Sequence, residues 1–458
     1  MRKFSAETAP ALLLTLAGLL FLPALGAKGQ EQASSETVPL LTLDQAVELA
    51  IADNLSLKIA GLEVTKSKFD LYATKTKRLP AFNTYVFGSA LLTPLSFTIP
   101  AGALGTYQAT GPIPPTNKPI TTDAGTFNTY VVGQASQPLT QLYKVHLAVR
   151  EKELSSEIDS EKYRATRQNV VTNVKQAYYA ILQSQSSLRA TEASLKQYEE
   201  LDRVMLVRIS QEAVLQSDSL EVKAKLAQEQ YKLLQTKNEL QTRKESLNDL
   251  LDRDLDTVFR TEEVPGISLE ESDLKVAQKT ALAQRPEIKQ ALLNVQLANY
   301  DRRLAKAQYI PDLSFAVHYI SPFNVQFLPK NIASAGFEFN WDPFDWGQRK
   351  DQIGEKQAVL DQSRLQLKDT QSKVLLDVNN RFRKLQETRV LLSVATAAQA
   401  AATEKLREVT QQFGQQAVLL RDVLQQQAAT SSANNDYEQA LLAFWTSKAE
   451  FEKALGEE

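Results

Sequence analysis

Two hydrophobic periods alternate along this 458-residue chain, one typical of helices and one typical of strands. Apolar residues recur at helical spacing across residues 44–79, and Pro80 ends this predicted helix because the residue before a proline avoids the helical conformation. The period changes to two around residues 312–321 and 333–342, where apolar and polar side chains alternate. A period of two with one apolar face predicts half-buried strands.

The same succession of patterns occurs twice, which indicates a tandem duplication. A shift of 231 positions aligns residues 43–80 with residues 274–311 without a gap. Further along the chain a shift of 204 positions is needed, and it aligns Asp218 with Asp422. The two shifts differ by 27 residues, so the first copy carries an insert, which we place within residues 93–125.

We predict a mainly α fold with a small β part, organised as two repeats, 28–253 and 274–458, with an equatorial linker at 254–273. The first repeat is predicted to contain a helix at 44–79, strands at 82–92 and 126–136, and helices at 139–209 and 217–253. The second repeat is predicted to contain a helix at 275–310, strands at 312–321 and 333–342, and helices at 344–413 and 421–457.

The longest predicted helices, 139–209 and 344–413, are each about 105 Å long at a rise of ~1.5 Å per residue. The two shorter helices of the first repeat together match that length, which predicts that they stack end to end beside the long helix. Within the second of them, leucines recur at intervals of seven, at Leu226, Leu233, Leu240 and Leu247. This heptad indicates either coiled-coil packing or the core face of an ordinary bundle.

Composition removes most catalytic and metal-binding chemistry. The net charge of −2 gives no electrostatic reason to bind nucleic acid, and the absence of cysteine excludes disulfides and thiolate sites. Only two histidines occur, so a multi-histidine metal site is not available. An acidic stretch at Glu262, Glu263, Glu270 and Glu271 is typical of a solvated connector and has no nucleophile beside it. We therefore expect no cofactor, no metal and no enzymatic activity.

The first 27 residues have the layout of a cleavable secretory signal peptide. Two basic residues precede an apolar run from Ala11 to Leu22, and small residues follow at Gly26 and Ala27. The apolar run is shorter than the roughly 20 residues that a membrane-spanning helix needs. No later run is longer, so we expect an exported protein whose membrane span consists of strands.

Four predicted strands per chain are too few to close a membrane barrel, which needs at least about eight. Open strand edges cannot face lipid, where each unpaired backbone group costs several kcal/mol. Several chains must therefore contribute strands to one barrel, eight strands from two chains or twelve from three. The aromatic residues Trp341, Phe344 and Trp346, at the end of the last strand, suit a belt at the membrane interface.

These features together resemble the TolC-like outer-membrane efflux protein family. The resemblance covers nearly the whole chain after the signal and rests on the duplicated plan and on the order of short motifs: Leu-Thr-Leu-Asp-Gln-Ala-Val at 41–47, Pro80 and Pro311 before strands, Asp342-Pro343-Phe344-Asp345-Trp346-Gly347, Phe413-Gly414 and Asp422-Val423-Leu424. It implies a homotrimer in which twelve strands form one outer-membrane barrel, continued by a long helical tunnel in the periplasm. It also implies a periplasmic adaptor and an inner-membrane transporter as partners, for efflux or type I secretion.

The resemblance also implies functional residues at the inner end of the tunnel. Asp422 matches the family's lumen-facing aspartate, and Gln425 stands where some members carry a second one. Asp218 is its equivalent in the first repeat, and both aspartates are alternatively helix N-caps. The tip and adaptor contacts are predicted at Phe413, Gly414, Val418, Leu419, Val214 and Leu215, although the apolar ones among these are alternatively buried packing residues.

Some features depart from the family pattern or allow more than one interpretation. Phe413 and Val418 replace the Tyr and Arg that help close the tunnel in some members, so a polar gate of that kind is not expected here. His318 lies on the polar face of its strand, and a tolerated lumen residue is favoured over a substrate ligand. The alternative function, a periplasmic coiled-coil structural or adaptor protein, explains the helices but not the strand pairs in both repeats.

Overall fold

The computed structural model describes residues 39–210, 215–262, 273–325 and 328–457. The predicted signal peptide, Val214 and most of the acidic connector lie outside the described residues. Within them, helices dominate and strands are few, as the sequence predicted. No helix in this part of the chain combines the length and the apolar character that a membrane span requires.

The helices of the two repeats correspond one to one. The first repeat contains α1 (Leu43–Asp53), α2 (Leu55–Thr76), α3 (Gln141–Ser210) and α4 (Gln216–Leu250). The second contains α5 (Leu274–Gln284), α6 (Pro286–Ala307), α7 (Gln348–Gly414) and α8 (Leu420–Leu455). Helices α1 and α5 both have 11 residues and α2 and α6 both have 22, which is what a duplication predicts.

The single helices predicted at 44–79 and 275–310 are wrong, because each is divided in two. Asn54 ends α1, and its side chain accepts a hydrogen bond from the Leu57 amide at 3.2 Å and donates one to the Leu250 carbonyl at 2.9 Å. At the equivalent position of the second repeat, Arg285 is extended because Pro286 follows it and begins α6. The two copies thus produce the same break with different residues.

One antiparallel sheet of four strands joins the repeats. Its members are β2 (Ala81–Ala90), β7 (Phe127–Pro138), β9 (Asp312–Phe323) and β10 (Ile332–Asn340), in the order β10-β9-β7-β2. The central pair β7–β9 links the first repeat to the second, with Gln134 opposite His318. Other predicted helix and strand ends differ from the observed ones by no more than four residues.

The insert of the first repeat forms short antiparallel strand pairs of its own. Strand β3 (Leu95–Ile99) pairs with β6 (Lys118–Thr122), and β4 (Thr106–Tyr107) pairs with β5 (Gly111–Pro112). Beside the middle of α3, β1 (Leu40–Leu41) and β8 (Arg260–Thr261) form a small parallel pair.

Helix α3 lies at the centre of the packing and contacts α2, α4, α6 and α8. Midway along it, Tyr178 is fully buried, and its hydroxyl donates to the Leu41 carbonyl at 2.9 Å and accepts from the Glu262 amide at 2.9 Å. The neighbouring Tyr179 ring stacks on Trp445 of α8 with centroids 5.1 Å apart. These contacts hold the chain start, the connector and both repeats to one point of α3.

The heptad stripe of α4 faces this core. Leu247 is fully buried, Leu240 packs against the same central cluster, and Leu226 packs against a second cluster near the far end of α3. The stripe therefore pairs α4 with α3, in agreement with the predicted position of the short helices beside the long one.

Candidate functional site

The four-stranded sheet has one apolar and one polar face. The apolar face carries exposed side chains of β2, β9 and β10, namely Phe82, Val86, Phe315, Val317, Phe337 and Phe339. The opposite face carries Asn83, Gln134, Ser314, His318, Ser334 and Glu338. Apolar and aromatic residues also occur on this second face, at Tyr85, Phe87, Tyr130, Val132, Ile320 and Ile332. A sheet of this kind can separate an apolar environment from water.

The three predicted interface aromatics lie together after β10. Phe344 and Trp346 contact each other edge to face with ring centroids 4.7 Å apart, and Trp341 contacts Phe339 in the same way at 6.4 Å. Trp346 has a left-handed backbone (φ 56°), which is costly for a bulky residue, and its side chain is 90% exposed. The strained turn therefore leaves a large apolar surface exposed just after β10.

The strained turn is stabilised by an aspartate cap. The Asp345 carboxylate accepts hydrogen bonds from the Gly347 and Arg349 amides, both at 3.1 Å, and so caps the start of α7. Gly347 is also left-handed (φ 91°), which explains the need for glycine at this position.

The first strand–helix junction lacks this Asp and Gly and uses Thr140 instead. The Thr140 hydroxyl donates to the Pro311 carbonyl at 2.7 Å and accepts from the Leu313 amide at 2.8 Å. Beside it, the Lys144 ammonium forms an ion pair with Asp312 at 2.7 Å. The first junction is therefore fixed to the second repeat, a link that the sequence analysis did not identify.

At the far end of the helices, two apolar side chains of equivalent position are exposed. Leu215 precedes α4 and is 70% exposed, and Leu419 precedes α8 and is 58% exposed. Gly414 is exposed beside them, whereas Val418 is half-buried against the local core. Of the predicted tip residues, these four lie together at one end of the protomer.

Phe413 is not available as a tip contact, because only 7% of it is exposed. It packs in the cluster formed by Tyr198, Met205 and Val423, among others. The Arg208 guanidinium lies 4.3 Å from the centroid of its ring and donates to its carbonyl oxygen at 3.1 Å. Arg208, near the end of α3, thus ties the α3–α4 pair to the α7–α8 pair; no sequence pattern singled it out.

The predicted lumen residues differ in their contacts. The Asp422 carboxylate accepts from the Leu419 amide at 3.0 Å, so it stabilises the start of α8. The hydrogen bond described for the Asp218 carboxylate comes from the adjacent Ser217 hydroxyl at 3.4 Å, and it does not cap α4. Gln425 is exposed. Whether Asp422 and Gln425 face a channel depends on the assembly, so that role stays a prediction.

Comparison with solved structures finds close similarity of fold. The Campylobacter jejuni CmeC outer membrane channel superposes with a TM-score of 0.73 at 17% identity, covering 90% of this chain and 85% of that one. The Vibrio cholerae outer membrane protein VceC gives 0.71 at 16%, covering 91% and 96%. The open state of the Neisseria gonorrhoeae MtrE outer membrane channel gives 0.69 at 16%, covering 91% and 89%. At these identities the likeness establishes the fold alone.

Sequence comparison with curated proteins finds no match. The family model for the outer membrane efflux protein, in contrast, matches residues 46–253 and 278–457, which fall within the two predicted repeats. The resemblance inferred from the short motifs is thereby confirmed, and the chain belongs to the outer membrane efflux protein family.

Proposed function

We propose that three copies of this chain form the outer-membrane exit duct of a tripartite efflux or type I secretion system. Family membership makes the chain an outer-membrane transport protein and not an enzyme. In the proposed assembly, a periplasmic adaptor and an inner-membrane transporter deliver the substrate, which passes through the duct without chemical change. The alternative function, a periplasmic coiled-coil structural or adaptor protein, does not explain the four-stranded sheet.

The observation that carries this proposal is the incomplete sheet. Among the described residues no strand pairs with the outer edges of β2 and β10, yet the sheet has the apolar face of a lipid-exposed wall. Unpaired edges are excluded from lipid, so β10 of one copy is expected to pair with β2 of the next. Three copies then supply twelve strands, with the polar face toward the pore.

An apolar stripe on α2 supports the same assembly. Its side chains are more than half exposed in the single chain and recur at intervals of three, four and seven: Leu55, Ile59, Leu62, Phe69 and Tyr72. A stripe of this width on one helix is typical of a face that packs against another helix. We propose that it packs against a neighbouring copy.

The two ends of the proposed duct have different surfaces. The exposed aromatics at 341, 344 and 346 suit the membrane–water interface, because indole rings favour that layer. The exposed Leu215 and Leu419, about the length of α3 away, suit contact with a periplasmic adaptor. Val418 and Gly414 lie beside them, and Phe413 is assigned to the core of the tip instead.

The molecular mass of the detergent-solubilised protein tests the trimer. Light scattering should give a protein mass of three chains for the wild type, and the double variant Leu62→Glu/Phe69→Glu should dissociate because it places charge in the α2 stripe. The matched variant Leu62→Met/Phe69→Leu keeps the stripe apolar and should remain trimeric. A monomeric wild type that retains its strand signal in circular dichroism would reject the shared barrel.

A further inference from the structure

We infer that the polar face of the sheet carries a binding site for a divalent transition-metal cation, formed by His318, Glu338 and Gln134. The inference rests on the proposed function in one respect, that this face lines the pore. It departs from the expectation of no metal, which rested on the absence of cysteine and of a multi-histidine set.

The three side chains come from three neighbouring strands and meet at one oxygen atom. The His318 Nε2 on β9 lies 3.0 Å from the Glu338 Oε1 on β10. The Gln134 Nε2 on β7 lies 3.3 Å from the same oxygen. The histidine and glutamate side chains are 35% and 47% exposed, so a hydrated ion can reach them.

The spacing of these atoms is close to what a metal ion needs. Two ligand atoms at about 2.0–2.1 Å from a tetrahedrally coordinated ion lie about 3.3 Å from each other. The histidine and glutamate atoms are already 3.0 Å apart, so little rearrangement is required. Rotation of the Gln134 amide would present its carbonyl oxygen as a third ligand and leave a position for water.

The charges on the sheet favour a cation at this point. The four strands contain no lysine or arginine, and their only carboxylates are Asp312 and Glu338. Asp312 is already paired with Lys144 at the helical end of the sheet. Glu338 therefore has no lysine or arginine partner within these four strands, and three copies around a pore would place three such carboxylates on its wall.

The ligand types select among cations. An imidazole nitrogen with carboxylate and amide oxygens suits zinc, nickel and copper, whereas magnesium and calcium prefer oxygen ligands alone. A simpler interpretation is that the three side chains only satisfy each other's hydrogen bonds. The two interpretations differ in the response of the channel to added Zn²⁺.

Block of the purified channel by Zn²⁺ in planar bilayers tests the inference. We expect Zn²⁺ to reduce the conductance, and His318→Ala and Glu338→Gln each to raise the half-blocking concentration at least tenfold. Ser334→Ala is the matched control, because Ser334 lies opposite His318 on the same face, and it should leave the block unchanged. Mg²⁺ at the same concentrations should block far less than Zn²⁺.

Further variants separate this site from the tunnel tip and from the proposed function. Asp422→Asn should retain the zinc block, since it changes the other end of the duct and keeps an oxygen that can accept from Leu419. Equal block in the wild type, His318→Ala and Glu338→Gln would overturn the metal site while leaving the channel intact. A wild-type trimer that conducts no ions even without zinc would instead reject the proposed function.

Discussion

Some ionisable side chains lie partly buried between the helices, and Glu151 of α3 is one of them. Burial, together with the negative charge of Asp301 on α6, raises the pKa of Glu151 to about 7, although Lys152 and Lys356 oppose the shift. One carboxylate oxygen of Glu151 is buried and makes no hydrogen bond in the described part of the chain. The side chain is thus more easily accommodated in its protonated form.

The raised pKa predicts a pH-dependent loss of stability. Between its ordinary value of 4.5 and about 7, the carboxyl group holds its proton in the folded protein but loses it in the unfolded chain. Unfolding therefore becomes easier as the pH rises through this window. In thermal denaturation of the purified protein from pH 5 to 8, Glu151→Gln should show a smaller fall of the midpoint than the wild type.

The exposed Glu157, two turns further along α3, provides the control for this measurement. Glu157→Gln should lose stability with rising pH as the wild type does. If Glu151→Gln and Glu157→Gln give parallel curves, the burial of Glu151 does not contribute to the pH dependence.

For individual residues, the sequence identified candidate positions at the helix ends, but it did not predict which side chains are buried or what they contact. The repeated apolar string singled out Leu215 and Leu419 but left open whether they are exposed or buried, and the structure shows both exposed. The burial of Phe413 and its contact with Arg208 depend on where two distant helix ends meet, and no local pattern encodes that. The sequence allows Asp422 to be either a helix cap or a lumen residue, and the capping hydrogen bond in the structure is compatible with both roles.

At the scale of helices and strands, the spacing of apolar residues predicted where the helices lie but not that two of them are divided. Pro286 lies inside the predicted helix 275–310, and proline at the first helical position is a known start signal. Asn54 gives a weaker signal, because asparagine caps helices but also occurs within them. Because the two repeats align without a gap here, a helix break predicted at Pro286 implies an equivalent break near Asn54 in the first repeat. The overall plan, in contrast, followed from periods of two and seven and from the paired prolines.

The insert between β2 and β7 yields a prediction of its own. It joins two strands at the end of the sheet opposite the helices, so in the proposed assembly it lies at the outer mouth of the channel. Thr116 is exposed within it. Because the chain has no cysteine, Thr116→Cys would be its only thiol. A membrane-impermeant maleimide should label this variant on intact cells.

A cysteine at the opposite end of the molecule controls for leakage of the reagent. Leu419→Cys, on the exposed helical tip, should react only after the outer membrane has been permeabilised. Labelling of Leu419→Cys but not Thr116→Cys on intact cells would mean that the orientation of the duct is reversed.

At the scale of the whole molecule, the single chain exposes surfaces that are normally paired or buried in a stable protein. Among the described residues its sheet has two unpaired edges, and its α2 helix has an exposed apolar stripe. Sequence reasoning reached the need for several chains by counting strands. It could not choose three copies over two, because in the proposed assembly the closing strand pair forms between copies and leaves no pattern within one of them.

Disulfide cross-linking across that closing pair tests the shared barrel most directly. Phe82→Cys on β2 is combined in turn with Ala335→Cys, Phe337→Cys or Phe339→Cys on β10, all on the apolar face. A disulfide forms where the Cβ atoms of neighbouring copies approach to about 4 Å. Asn83→Cys, on the other face of β2, combined with the same partners is the control and should not cross-link.

After oxidation in membranes, at least one of the three pairs should give covalent dimers and trimers on denaturing, non-reducing gels, with no larger species. Each single-cysteine variant should remain monomeric under the same conditions. A series that ends at the dimer would indicate an eight-stranded barrel, and a series that continues beyond the trimer would indicate open polymerisation. Either outcome, or the absence of cross-links from every pair in a correctly inserted protein, would contradict the trimeric twelve-stranded channel.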